Sequence, residues 1–249
     1  MTAAILLDQV DEVASTSDEL IARAMSGATE CALMARRQTG GRGRLGRSWA
    51  TVDGNLFLSV LLRPGLQSSG LQRPGTPPAP GHWSLLAAVA LADALDQVLP
   101  RPGLLRLKWP NDVLLQGAKV AGILLDAGTT HPRGEPWLVI GFGVNLAAAP
   151  QVVGRSVTCV ADVAPAPKPE AFAPSLLAHL TYWRRRLATE GFSPVRDAWL
   201  ARGPVPGDLL AAGTGPDRVE GVFHGLGTDG ALLIAAASGV VSVRSGEVG

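Results

Sequence analysis

An α+β fold, with a largely buried sheet, flanking helices and a small all-β unit at the C-terminal end, is what this chain of 249 residues predicts. Three observations carry it. The strand-length runs NLFLSVLLR and WLVIGFGVNL are almost uniformly apolar, as strands covered on both faces are. HWSLLAAVALADALDQVL is long and apolar enough for a buried helix. From Gly203 onward the pattern changes to short β segments separated by turn residues. The expected organisation is therefore a body over residues 1–202 and a small β-barrel unit over 203–249, a division that the length permits.

The elements follow in order. AILLDQVDEV reads as a strand, and STSDELIARAMSG as a helix opened by a Thr16-x-x-Glu19 capping box and closed near Gly27. CALMARR is a strand that delivers the chain into the loop QTGGRGRLGR, and NLFLSVLLR is the next strand. The Pro- and Gly-dense stretch at 67–81 is a loop, followed by the buried helix. LLRLKWP is a strand, VLLQGAKVAGILLDA a hairpin turning at Gln116-Gly117, and WLVIGFGVNL a strand ending at Asn145. Two helices run from about 170 to 202. In the tail, HGLGTDGALLI is a hairpin built on Asp229-Gly230.

Composition narrows the function. A formal net charge of +1 excludes a globally cationic nucleic-acid binder, so anion recognition must be local. Cys31 and Cys159 are far apart, in no metal-type spacing, and read as reduced thiols. No apolar run reaches the ~20 residues of a membrane span, and no basic leader precedes the first strand, so a cytoplasmic protein is expected. Arginine outnumbers lysine nineteen to three, and Asn is equally scarce. Asn55, Asn111, Asn145, Lys108 and Lys119 nevertheless gather in GNLFLSVLLRP, LKWPNDVLLQGAKVAGILLD and IGFGVNL.

The loop at 38–47 places Arg42, Arg44 and Arg47 among four glycines with no acidic residue in the segment. Glycines allow close backbone approach, and guanidinium forks suit carboxylate and phosphate, so the segment reads as an anion clamp. A solvated loop or a short nucleic-acid contact are the other readings. It is no Walker loop, since the Gly-Lys-Ser/Thr ending is missing, and no dinucleotide fingerprint, since a strand follows. With nothing local to neutralise them, the three arginines are expected to repel one another and leave the loop loose until anions bind. After Pro110, Asn111 and Asp112 project from a rigid turn, either as an ordinary turn pair or as partners of a Mg²⁺–nucleotide. Lys119, between Ala118 and Val120, either points to solvent or needs an anionic partner. Asn145 is either a strand cap or a ligand contact.

Taken together, STSDEL, QTGGRGRLGRSW, GNLFLSVLLRP, KWPNDVLLQGAKVAGIL and IGFGVNL resemble, in order and spacing, the motifs of the biotin protein ligases, over residues of about 10 to 146. The resemblance implies a class II aminoacyl-tRNA synthetase-like mixed sheet followed by a small SH3-like β-barrel. It also implies an enzyme that joins biotin and ATP into biotinyl-5′-AMP, releases pyrophosphate and passes biotin to a lysine of a carboxyl carrier domain. It assigns Ser15, Thr16, Gln38, Gly41, Arg42 and Gly122 to the biotin side, and Arg44 and Lys119 to the junction of biotin carboxylate and α-phosphate as the catalytic pair. Arg47, Trp49, Asn111, Asp112 and Asn145 resemble ATP and adenylate contacts, with Asp112 serving Mg²⁺. Where family members often have Asn after the Ser-Thr pair, Ser17 stands here. In the tail, the position of a family acid falls on Val240 or on Glu247, and no tail residue is assigned. The pattern begins too early in the chain for a DNA-binding domain ahead of it, so no DNA and no membrane partner is expected, and the protein is expected as a monomer or homodimer. A lipoate or octanoate transferase of the same superfamily would favour a longer apolar tunnel over the polar Ser-Thr-Gln set.

Overall fold

The computed structural model describes residues 5–64, 79–130, 134–213 and 218–248. Most of the loop expected at 67–81 lies outside the described residues. Seven strands, β1 (Leu6–Val13), β2 (Cys31–Gln38), β3 (Leu56–Leu62), β4 (Leu105–Lys108), β5 (Asp112–Leu115), β6 (Ala118–Thr129) and β7 (Pro136–Val144), form one sheet in the order β1-β2-β3-β7-β6-β5-β4. Only β1 and β2 run parallel; the remaining pairs are antiparallel, so the sheet is mixed.

Helices cover the sheet from both sides, which is why β3 and β7 are apolar at nearly every position. On one side, α1 (Thr16–Met25) buries Leu20 and Ala24 against Leu33, Leu61, Trp137 and Val139. On the other, α2 (Pro80–Asp96) packs with α3 (Pro169–Glu190) and α4 (Ser193–Leu200) over the alternate side chains of β3 and β7, among them Leu58, Val60 and Phe142. α2 is buried on nearly every face between sheet and helices, and each leucine so enclosed contributes about 1.5–3 kcal/mol of transfer free energy. It starts two residues before the expected His82, with Pro80 in the first turn, where a missing N–H costs nothing.

The start of α1 corrects a sequence expectation. Ser15, not Thr16, is the cap: its Oγ accepts from Asp18 N at 3.2 Å. Thr16 lies inside the first turn, with its hydroxyl turned towards Gln38 and Ser59. The hairpin between β5 and β6 turns where expected, through Gln116 (φ 51°) and Gly117 (φ 86°), both left-handed as a tight two-residue connection requires.

The tail forms a separate four-stranded antiparallel sheet, β11-β10-β9-β8, from β8 (Leu209–Ala212), β9 (Val219–Leu226), β10 (Leu232–Ala236) and β11 (Gly239–Val243). The Asp229-Gly230 turn joins β9 to β10 as read, and it docks on the body. Trp109 Nε1 donates to Gly230 O at 3.1 Å, and His82 Nε2 meets Thr228 O at 2.7 Å. Both cysteines are free thiols.

Candidate active site

Cross-strand register builds the floor of a cavity. Partners across a sheet share a face, so Phe57, Gly143, Gly122, Asp112 and Lys108 stand in one row, and Leu33, Ser59, Gly141 and Leu124 in the next. Three glycines in adjoining positions leave that floor without side chains. The Trp49 ring fills part of the gap: a Cβ on Gly143 would lie 2.4 Å from Trp49 Cε2, and one on Gly122 2.9 Å from Trp49 Cζ3. The remaining space is a cavity of about 730 Å³ between the sheet, the N-terminal end of α1, the arginine loop and the segment that follows β7.

One end of the cavity is polar but neutral. Gln38 Oε1 accepts from Thr16 N at 2.7 Å and from Thr16 Oγ1 at 3.1 Å. Ser59 Oγ shares hydrogen bonds with Thr16 Oγ1 at 2.8 Å and Ser17 Oγ at 2.9 Å. Ser15, Thr16, Ser17 and Ser59 are all buried. Ser17 and Ser59 were missing from the sequence-based set; the signal for Ser59 was a lone hydroxyl inside LFLSVLL, where every neighbour is apolar.

The other end is ionic. Lys119 Nζ donates to Asp112 Oδ1 at 2.6 Å and stands 5.5 Å from the Trp49 ring centroid. Its backbone is held on the outer side by the segment after β7, through Lys119 N to Ser156 O at 2.9 Å and Thr158 N to Lys119 O at 3.0 Å. Arg44 donates to Asn111 Oδ1 and to Gly246 O, each at 3.2 Å. Burial pulls the Arg44 pKa below its ordinary value, opposed by Glu247 and Asp112. Asn111 in turn donates from Nδ2 to Ile123 O at 2.7 Å. Asn145 donates to Thr158 O at 3.1 Å and is backed by Asn55, which also accepts from Ala147 N and Ala148 N. Trp49 Nε1 is buried with no acceptor among the described residues.

The arginine loop differs from expectation. It is folded on itself by Gly43 N to Arg47 O at 2.7 Å and Trp49 N to Gly41 O at 2.8 Å, around a single 3₁₀ turn with Leu45 (φ 57°) and Gly46 (φ 72°) left-handed. Its arginines are not unbalanced either. Arg42 pairs with Asp18 at 2.6 Å and Asp126 at 3.2 Å, and Arg47 makes a two-pronged pair with Glu247, Nη2 to Oε2 at 2.7 Å. These carboxylates come from α1, β6 and the C-terminal tail, so the loop's own composition gave no sign of them.

Every residue expected at the site lines this cavity except Gly41. Gly41 sits behind the wall, where its carbonyl holds the Trp49 backbone and a Cβ would meet Trp49 O at 2.7 Å. Arg42 lines the cavity, with its guanidinium engaged by Asp18 and Asp126. Lys108, Arg155 and Glu247 also line it; the sequence singled out Lys108 and Glu247 without assigning either a role, and gave no sign of Arg155. The cavity thus gathers six cationic side chains, Arg42, Arg44, Arg47, Lys108, Lys119 and Arg155, against two carboxylates, Asp112 and Glu247. A neutral hydrogen-bonding end beside a strongly cationic one accommodates a ligand with an uncharged polar head and an anionic tail, next to a polyanion. No group of three or more His, Cys, Asp or Glu residues suited to a metal ion occurs among the described residues, and none of their helices is long and apolar enough to cross a membrane.

Comparison with known proteins points the same way. Residues 25–136 match the Biotin/lipoate A/B protein ligase family. The chain is 37% identical over 240 residues to a biotin–[acetyl-CoA-carboxylase] ligase of Paracoccus denitrificans, covering 94% of this chain and 96% of that one. It is 32% identical to the ligase of the same name from Mycobacterium tuberculosis, covering 97% and 88% respectively. Among solved structures, the biotin protein ligase of Aquifex aeolicus in complex with biotin and ATP superposes with a TM-score of 0.80 at 25% identity, over 98% of this chain and 97% of that one.

Proposed function

The chain belongs to the biotin protein ligase family, and from that premise we propose that it joins biotin to ATP as biotinyl-5′-AMP, releases pyrophosphate and transfers biotin to a lysine of a carboxyl carrier domain. The observation that carries this reading is the join of two unlike ends in one cavity, with Lys119 and Arg44 beside it. The hydroxyls of Thr16, Ser17 and Ser59 and the Gln38 amide suit a ureido ring, which presents both N–H donors and a carbonyl acceptor. The cationic end suits the triphosphate, and the Trp49 face suits the adenine.

The chemistry follows from charge. A carboxylate must approach an already anionic phosphorus, so the ground state is repulsive and negative charge concentrates in the pentavalent transition state. Lys119 and Arg44 neutralise it from fixed positions, and no nucleophilic side chain is required. The bond formed is carboxylate oxygen to α-phosphorus; the bond broken is α-phosphorus to the bridging oxygen, which leaves with pyrophosphate. In the second half, the carrier lysine attacks the mixed anhydride and AMP departs.

Mg²⁺ fits the residues present in one sense only. Asp112 has Oδ1 on Lys119 and no carboxylate cluster surrounds it among the described residues, the pattern of an ion that arrives on the nucleotide and takes one protein carboxylate. Asp112 would hold it, with Asn111 adjacent, and the ion would supply Lewis-acid neutralisation of the phosphates. The same reading takes residues 1–202 as a class II synthetase-like catalytic body and 203–249 as an SH3-like barrel, in a cytoplasmic monomer or homodimer that binds neither DNA nor membrane.

The test is pyrophosphate release by the purified chain with Mg²⁺–ATP, followed by label transfer to a carrier domain. Biotin-dependent release and carrier labelling are expected. Turnover with lipoate in place of biotin, or salt-sensitive nucleic-acid binding without ATP turnover, would replace the proposal.

A further inference from the structure

Glu247 is a carboxylate that the adenylation chemistry does not call for, yet it is built into the ionic end of the cavity. The tail is returned there by the bridge between Ala212 and Val248 and by Gly213 N donating to Glu247 O at 3.0 Å. Both Glu247 oxygens face the Arg47 fork, and Arg155, from the segment after β7, reaches Oε1 at 3.8 Å. Arg44 donates to the neighbouring Gly246 carbonyl. A protein carboxylate therefore stands where three arginines from two separate segments converge. A guanidinium fork accepts carboxylate and phosphate in the same planar, two-pronged manner, and Arg47 cannot offer one fork to both.

We infer that Glu247 is a stand-in for the outer phosphates of the nucleotide: it neutralises Arg47 and Arg155 while their subsite is empty and is displaced when the triphosphate enters. The inference rests on the cavity being the ATP site, and it adds Arg155 to the residues that meet the phosphates. The hydrogen bond from Arg47 holds the Glu247 carboxyl below the usual range, so the stand-in is charged, and competes, at neutral pH. The exchange works in both directions. ATP binds less tightly than bare arginines would allow, and pyrophosphate leaves more readily, because Glu247 takes its place instead of leaving converging cations exposed. A ligand shifts such an equilibrium only by its differential affinity for the two arrangements, and Arg47 is the group that both arrangements share.

The experiment is calorimetric titration of the full chain with Mg²⁺ and inorganic pyrophosphate, in wild type, Glu247→Gln, Arg47→Ala and the double variant. Glu247→Gln is expected to bind pyrophosphate about tenfold more tightly, within the usual span of a site-to-site coupling, and in the Arg47→Ala background that gain should shrink to about twofold or less. Weaker binding by Glu247→Gln would mean that Glu247 orients Arg47 for the ligand. Equal tightening in both backgrounds would mean simple through-space charge, and no change would mean no competition. Any of these three overturns the inference. The titration needs neither biotin nor turnover, so a chain that fails to activate biotin would lose the reaction proposed above without altering this readout.

Discussion

The two ends of the cavity are satisfied in different ways. At the neutral end, Thr16, Ser17, Gln38 and Ser59 bond to one another across α1, β2 and β3, and they are neutral groups that can stay paired while a ligand adds further bonds. Among the cations, by contrast, Lys119 faces Asp112, Arg42 faces Asp18 and Asp126, and Arg47 faces Glu247, while Arg44 donates to the neutral acceptors Asn111 Oδ1 and Gly246 O. A polyanion entering there must exchange partners, not merely add them. One end is preformed and the other is occupied in advance, so substitutions at the two ends should fail differently.

Lys119→Ala gives the largest effect. Adenylation should fall by ~10²-fold or more, because a localised cation is lost from the transition state. The fold should survive, since the side chain is part-exposed and Asp112 can be hydrated. Single-turnover formation of the adenylate, read beside a thermal melt, checks both. Near-normal rates would make Lys119 a structural partner of Asp112 and nothing more.

Gly143→Ala sharpens the contrast from the sheet floor. The new Cβ would lie 2.4 Å from the Trp49 ring, which must move at a cost of about 1–3 kcal/mol. The expected reading is a rise of about tenfold in KM for ATP with KM for biotin kept, since each ~1.4 kcal/mol is a factor of ten. A parallel rise in both constants would mean that the floor serves the two ends alike.

How far these ends could be read from the chain follows the same divide. The strands, the buried helix and the hairpin turn at Gln116-Gly117 were legible, because apolar runs and left-handed turn residues act over a few positions. The start of α1 was misread because Ser15, Thr16 and Ser17 are three successive cap candidates, and only Gln38 and Ser59, brought up by the sheet, decide which hydroxyl is left to cap. The balance of the arginine loop was hidden for a stronger reason. Arg42 finds Asp126 across 84 residues, and Arg47 finds Glu247 across 200. Between Val240 and Glu247 the tail pattern alone could not choose. The bridge from Val248 to Ala212 carries the last residues back to the cavity, so that Glu247 lines it.

Ser59→Ala tests the neutral end with a smaller change. It removes the common partner of Thr16 and Ser17 and leaves two buried hydroxyls short of a bond, a cost of about 1–2 kcal/mol. KM for biotin should rise about fivefold with little change in kcat, as loss of uniform binding predicts. If kcat falls and KM holds, the hydroxyl cluster acts at the reacting atoms, and the division between the ends is drawn in the wrong place.

The smallest effect concerns the segment that flanks Lys119 and Asn145 from outside, and it appears as a pH dependence. Asp162 Oδ2 accepts from Thr158 Oγ1 at 2.7 Å and from Cys159 N at 3.1 Å. The Thr158 hydrogen bond, ahead of the Cys159 amide, lowers the Asp162 pKa below its ordinary 3.8. A carboxyl depressed in the folded state binds its proton more readily in the unfolded chain. Its stabilising contribution is therefore complete above the unfolded value and is lost as pH falls through the folded one. Because the group is solvent-exposed, the contribution is small. Asp162→Asn should melt slightly below wild type at neutral pH, and the gap should close as pH drops below about 3.8. Thermal melts of both proteins across that acid range measure it. A gap that stays constant with pH would show that the substitution costs stability through packing, and that the bonds to Thr158 and Cys159 owe nothing to the charge.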